Sequence, residues 1–155
     1  MTDGLKIDGL KNILKALKDR QIVARVGVLG KSNARDGGVS NAEIGAAHEY
    51  GAPERNLPQR SFLRMPISAK LQGELESSNV FTTDALKEVI STKEMKPWVE
   101  KMAICATAVI ADAFDSNGFG QWAPLTEATK SRKKLNQILV ETQQLRNSIT
   151  WDVTE

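Results

Sequence analysis

The feature that most constrains the fold is the run over residues 97–115. Proline can open a helix but not continue one, because its ring fixes φ and it has no N–H, so Pro97 marks a start. From there Trp98, Met102, Cys105, Val109 and Ala113 fall near one helical stripe, flanked by Val99, Ala103, Ala106 and Ile110. An apolar surface that wide must be enclosed on more than one side. The spacing predicts the central helix of the core, with Trp98, Met102 and Val109 turned inward.

Shorter patterns surround it. Leu10, Ile13, Leu14 and Leu17 recur at helical spacing over residues 8–19, behind Asp8 as a cap and opposite Lys11, Lys15 and Lys18. Residues 23–29 are rich in β-branched side chains and stop at Gly30, which predicts a strand. Residues 30–39 read as a mobile loop. Residues 41–50 predict a helix capped by Ser40 or Asn41, with Ile44, Ala47 and His48 along one stripe. Pro58 and Pro66 disfavour helix just before them, so the chain around Phe62 is expected to be extended and the next helix to run from Pro66 to about Ser77. Thr83 and Asp84 can cap a short helix carrying Leu86, Val89 and Ile90, and a basic helix is expected from about Thr126 to Lys134. Residues 148–153 alternate and read as a second strand.

Composition narrows the function classes. A length of 155 residues suits one domain, and 41% hydrophobic with 26% charged residues excludes wholesale disorder. No apolar run approaches the ~20 residues of a membrane span, so no membrane is expected, and the polar start fits a protein made in the cytoplasm. A net charge of +2 is too small to imply nucleic acid by itself. Gly30-Lys31-Ser32 imitates a phosphate loop, but that motif needs Gly where Arg25 stands. His48-Glu49 imitates half of a zinc-protease helix, but Ala52 occupies the second ligand's place and the chain holds 1 His. Cys105 has no second Cys to pair with. The groups that a catalyst or a metal site needs are not assembled, and neither enzyme activity nor a cofactor is expected.

More specific patterns lie elsewhere. His48-Glu49-Tyr50-Gly51-Ala52-Pro53, followed by Leu57-Pro58-Gln59-Arg60-Ser61-Phe62-Leu63-Arg64, resembles a signature of tailed-bacteriophage neck and tail-completion proteins. There a glutamate–aromatic–Gly turn precedes a Pro-x-Arg-x-Phe-hydrophobic-Arg segment. Phe114, Asp115, Gly118 and Trp122-Ala123-Pro124-Leu125-Thr126, with Thr129, resemble the Trp-x-Pro-Leu-Ser/Thr-x-x-Thr signature of the phage virion morphogenesis family. Ile138-Leu139-Val140-Glu141-Thr142 and Leu145-Arg146-Asn147-Ser148-Ile149 are similar to that family's Ile-Leu-x-x-Thr-Gly-x-Leu-x-x-Ser-Ile segment. Gln143 stands where the pattern carries Gly, and Gln accepts positive φ only at a cost. The blocks follow the family's order, while residues 71–97 carry no resemblance.

The resemblance implies a single α+β domain, with long helices packed on a small antiparallel sheet. It implies a homo-oligomeric ring in the virion, at the head–tail junction or the top of the tail tube. It implies connector, tail-terminator or tail-tube proteins as neighbours, DNA passing through the lumen, no catalysis and no cofactor. The alternative is a small basic nucleic-acid-binding module, prompted by the basic clusters and opposed by the lack of interleaved aromatics.

Two groups of residues are candidate contacts. Arg55, Arg60 and Arg64 alternate with Leu57, Phe62 and Leu63 behind the stiffening Pro58. On an extended segment Arg60, Phe62 and Arg64 share one face, where the arginines could grip a neighbour's carboxylates around a Phe62 anchor. The same pattern also fits a solvated edge with two core anchors. Lys130, Arg132, Lys133 and Lys134 form the second group. They fit a solvated helix face near its C-terminus, or a contact with nucleic acid or an acidic partner ring.

Overall fold

Strand β1 (Val23–Val28) pairs antiparallel with β2 (Ile149–Thr154), matching the segments that β-branched content and alternation respectively predict as strands. The register sets Arg25 opposite Asp152, and the side chains meet at two points, Nε–Oδ1 and Nη2–Oδ2, each 2.8 Å. Two strands alone are marginal in water and need a covering layer. The computed structural model describes residues 11, 15, 22–30, 38–92, 94–132, 138–139 and 143–154. Of the helix expected over 8–19, Lys11 and Lys15 are described, both helical. Most of the loop expected over 30–39 lies outside the described residues, as do Lys133 and Lys134.

The covering layer is helical. Between the strands lie α1 (Asn41–Tyr50), a 3-10 turn (Pro53–Arg55), α2 (Arg64–Ser77), α3 (Thr83–Thr92), α4 (Lys96–Asp115), α5 (Glu127–Arg132) and α6 (Gln144–Asn147). Ser40 caps α1 in a reciprocal capping box with Glu43, which leaves two fewer orphan N–H groups at that end. Thr126 caps α5 through the Thr129 N–H. Helix α4 packs on α2 and on both strands. Its inward residues are Val99, Ala103, Cys105, Ala106, Val109, Ile110, Ala113 and Phe114. Val109 is buried as the spacing predicts, but Trp98 and Met102 are half-buried. Burial shifts to the flank because α4 is enclosed by both α2 and the sheet.

The segment before α2 departs from expectation. Helix α2 begins at Arg64, so Arg64 does not continue an extended strand with Arg60 and Phe62. Pro66 is its third residue, where the missing N–H would have found no intrahelical acceptor anyway.

Helices α2 and α4 run antiparallel. At one pole Trp122, beyond the end of α4, donates its Nε1–H to the Ser61 carbonyl ahead of α2, 3.1 Å. At the other, Trp98 near the start of α4 donates to the Val80 carbonyl beyond α2, 2.8 Å. With 14 residues in α2, the poles stand about 20 Å apart. The main core lies toward the first pole: Phe62, Ile110, Ala113, Phe114, Trp122, Leu125, Ile138 and Leu145. The fold is thus a small single-domain α+β arrangement, helices against a two-stranded antiparallel sheet. Among the described residues no helix is long and apolar enough to cross a membrane.

Candidate functional site

Helix α1 ends at Gly51, whose φ is 76°. A Cβ there would lie 2.9 Å from the Gln59 backbone nitrogen, so only glycine lets the following chain fold back this closely. Ala52 and Leu57 bridge the return, and the Arg60 N–H then donates to the His48 carbonyl, 2.7 Å. This fold-back carries residues 59–64 alongside the last turn of α1.

Glu49 sits in that last turn and is 4% exposed. A carboxylate at a helix C-terminus opposes the helix dipole, and burying one is costly unless it is fully bonded. Five donors converge on it: Ser61 Oγ at 2.7 Å, the backbone N–H groups of Phe62, Leu63 and Arg64 at 2.8, 2.9 and 3.1 Å, and Arg64 Nε at 2.9 Å. Ser61 Oγ also accepts from the Met65 N–H, 3.0 Å. The end of α1 thereby supplies the N-terminal cap of α2. Burial alone would push the Glu49 carboxyl up. The Leu63 N–H, the Ser61 hydroxyl and Arg64 outweigh it and hold the group below the ordinary glutamate value.

Around this clamp the aromatic core closes. Arg60 is 5% exposed and donates from Nε to the Ala123 carbonyl at 3.0 Å and from Nη2 to the Pro124 carbonyl at 3.3 Å. Burial lowers its pKa, yet a guanidinium stays charged in a protein. Phe62 is fully buried, its ring centroid 5.4 Å from that of Phe114, and Trp122 meets Phe114 edge-on at 5.8 Å. Trp122 lies over Gly118, where any Cβ would overlap the indole. Leu145 and Ile138 complete the cluster.

The clamp's outer face is different. The Arg64 guanidinium lies 4.5 Å over the Tyr50 ring, and Tyr50 is 65% exposed. Beside them opens a shallow groove of about 420 Å³, lined by Gln59, Arg64, Met65, Ser68, Gln121 and Trp122 among others.

The expected contact residues therefore separate. Arg60 and Phe62 face the interior, a correction to their reading as docking groups, because each has its partners within the chain. Arg64 is exposed but braced by Glu49 and Tyr50. Arg55 is exposed at the end of the 3-10 turn. Lys130 is exposed and pairs with Glu127 at 2.7 Å, and Arg132 is the last residue of α5. Lys133 and Lys134 lie outside the described residues. Sequence reasoning gave no role to Glu49, Ser61 or Tyr50. The usable signal was a glutamate in the final turn of a helix, against the dipole, ahead of a Gly turn.

The chain matches no family model, no curated protein and no solved structure.

Proposed function

We propose that the protein is a structural part of a tailed-phage virion: a ring-forming neck or tail-completion protein at the head–tail junction or the top of the tail tube, without catalysis or cofactor. It would be made in the host cytoplasm and joined to connector, tail-terminator or tail-tube proteins around a lumen that passes DNA. The observation that carries this reading is convergence. The residues behind the family resemblance are dispersed along the chain, yet they meet in one place. Glu49, Arg60, Phe62 and Arg64 come from the first block, Phe114, Gly118, Trp122 and Leu125 from the second, and Ile138 and Leu145 from the third. These contacts join the three blocks into one packed unit.

The sheet adds support. It has two strands, and neither outer edge has a ladder partner among the described residues. An unpaired edge is a liability that a neighbouring subunit can remove by adding a strand.

The test is sedimentation and electron microscopy of the purified protein over a concentration series, alone and with phage connector and tail-tube proteins. Rings, or caps on tubes, are the expected result. A monomer that ignores those partners and binds DNA with steep salt dependence would replace this reading with the nucleic-acid-binding one.

A further inference from the structure

We propose that Tyr50 and Arg64 at the clamp pole of one copy dock head to tail on the α3 pole of the next copy, against Phe81 and the carboxylates of Glu88 and Glu94. This rests on the ring reading and names the surfaces that build the ring.

The clamp pole offers a prepared anchor. Tyr50 is exposed, and Arg64 is fixed over its ring while Glu49 holds the Arg64 Nε. More than half of the Arg64 side chain, 57%, still faces solvent. Tyr and Arg are the residues that dominate interfaces, and a pair ordered beforehand loses little entropy on docking. The groove between Gln59 and Gln121 lies alongside. It is not an anion site, because the N–H groups at the head of α2 are already taken by Glu49 and Ser61.

The opposite pole carries the complement. Phe81 is 50% exposed and Ile90 40%, with the Phe81 ring edge-on to Trp98 at 5.6 Å. Glu88 and Glu94 line a small cleft with Val89, Trp98 and Lys101. Among the described residues neither carboxylate has an ion-pair partner, whereas Asp84 already pairs with Lys87. A guanidinium backed by an aromatic ring thus faces, on the next copy, free carboxylates beside an exposed aromatic ring. The two surfaces are different and sit at opposite ends of α2. A contact between them is heterologous, repeats from copy to copy, and closes into a ring when the rotation allows.

The test uses residues outside the clamp's buried network. Tyr50→Ala disables one pole, and Glu88→Lys with Glu94→Lys disables the other. Circular dichroism should show both proteins folded. Each should weaken self-association on the order of tenfold or more. Mixed together, they should form a one-to-one dimer that grows no further, since each keeps one intact pole. If both variants form rings like the unaltered protein, the contact lies elsewhere and this inference falls while the ring reading stands. If the mixture stays monomeric, the head-to-tail pairing is likewise overturned. If the unaltered protein never assembles, both readings fall together.

Discussion

The two poles of the α2–α4 pair are held by different means. At the clamp pole a buried carboxylate, a buried guanidinium and three aromatic rings interlock, and their partners come from four separate stretches of chain. At the α3 pole the described polar tie between α4 and the chain beyond α2 is one bond, Trp98 to Val80, with Val80 and Val89 buried beside it. The residues of the family resemblance gather at the first pole, and residues 71–97 at the second carry none. At the first pole a buried charge with several fixed donors leaves little room for substitution. A pole held by one hydrogen bond and a few apolar contacts can accept many sequences.

The comparison is broken most directly at Glu49. Glu49→Ala strands the N–H groups of Phe62, Leu63 and Arg64 and should cost about 3–5 kcal/mol in denaturant unfolding. The acid limb gives a second reading. Because the folded pKa is depressed, the unfolded chain binds more protons between that pKa and the ordinary ~4.3, so stability rises with pH across this window. The contribution is complete above it and lost as pH falls through the folded value. Glu49→Gln should be less stable at neutral pH and show a shallower loss below about pH 4. An unchanged acid slope would mean that Glu49 gains nothing from its donors.

Arg60 follows. Arg60→Ala removes a buried side chain and leaves the Ala123 and Pro124 carbonyls without this donor, so melting should reveal a loss of about 2–3 kcal/mol. Retained stability with failed assembly would return Arg60 to the surface role that its sequence setting implied.

That reversal marks where the sequence was legible. Strands β1 and β2, helix α4 and the Ser40 cap follow from local periods and local side-chain reach, and these were readable. The start of α2 is not legible locally: Pro66 favours a helix that begins at Pro66, while the cap that starts it at Arg64 arrives from Glu49, distant along the chain. Alternation puts Arg60, Phe62 and Arg64 on one docking face only if the segment is extended throughout, but the helix begins at Arg64 and parts it from Arg60 and Phe62, which are buried. Arginine is usually exposed, so nothing near Arg60 announces its burial. Its acceptors, Ala123 and Pro124, lie in another block and become neighbours only when the chain has folded.

The α3 pole supplies the contrast. Trp98→Phe keeps most of the ring contact with Phe81 but removes the donor to the Val80 carbonyl. The expected cost is about 1 kcal/mol, well below either clamp substitution. A loss as large as that of Glu49→Ala would erase the distinction between the poles.

The smallest expected effect is a gain, and it asks whether the clamp pole is fully optimised. Gln143 precedes α6, whose Leu145 packs into the core, and it holds φ 57°, the left-handed region. This is a backbone region that favours glycine. A side chain there costs roughly 1–2 kcal/mol against the following carbonyl. Glycine removes that strain but gives the unfolded chain more freedom, which offsets about 0.4–1 kcal/mol. Gln143→Gly should therefore stabilise the protein by about 0.5–1 kcal/mol, seen as a higher denaturation midpoint at unchanged slope. Gln143→Ala keeps a Cβ in the same conformation and should give no such gain. If the glycine variant is instead less stable, the Gln143 side chain makes a contact worth more than its strain, and the turn into α6 belongs to the fixed part of the clamp pole.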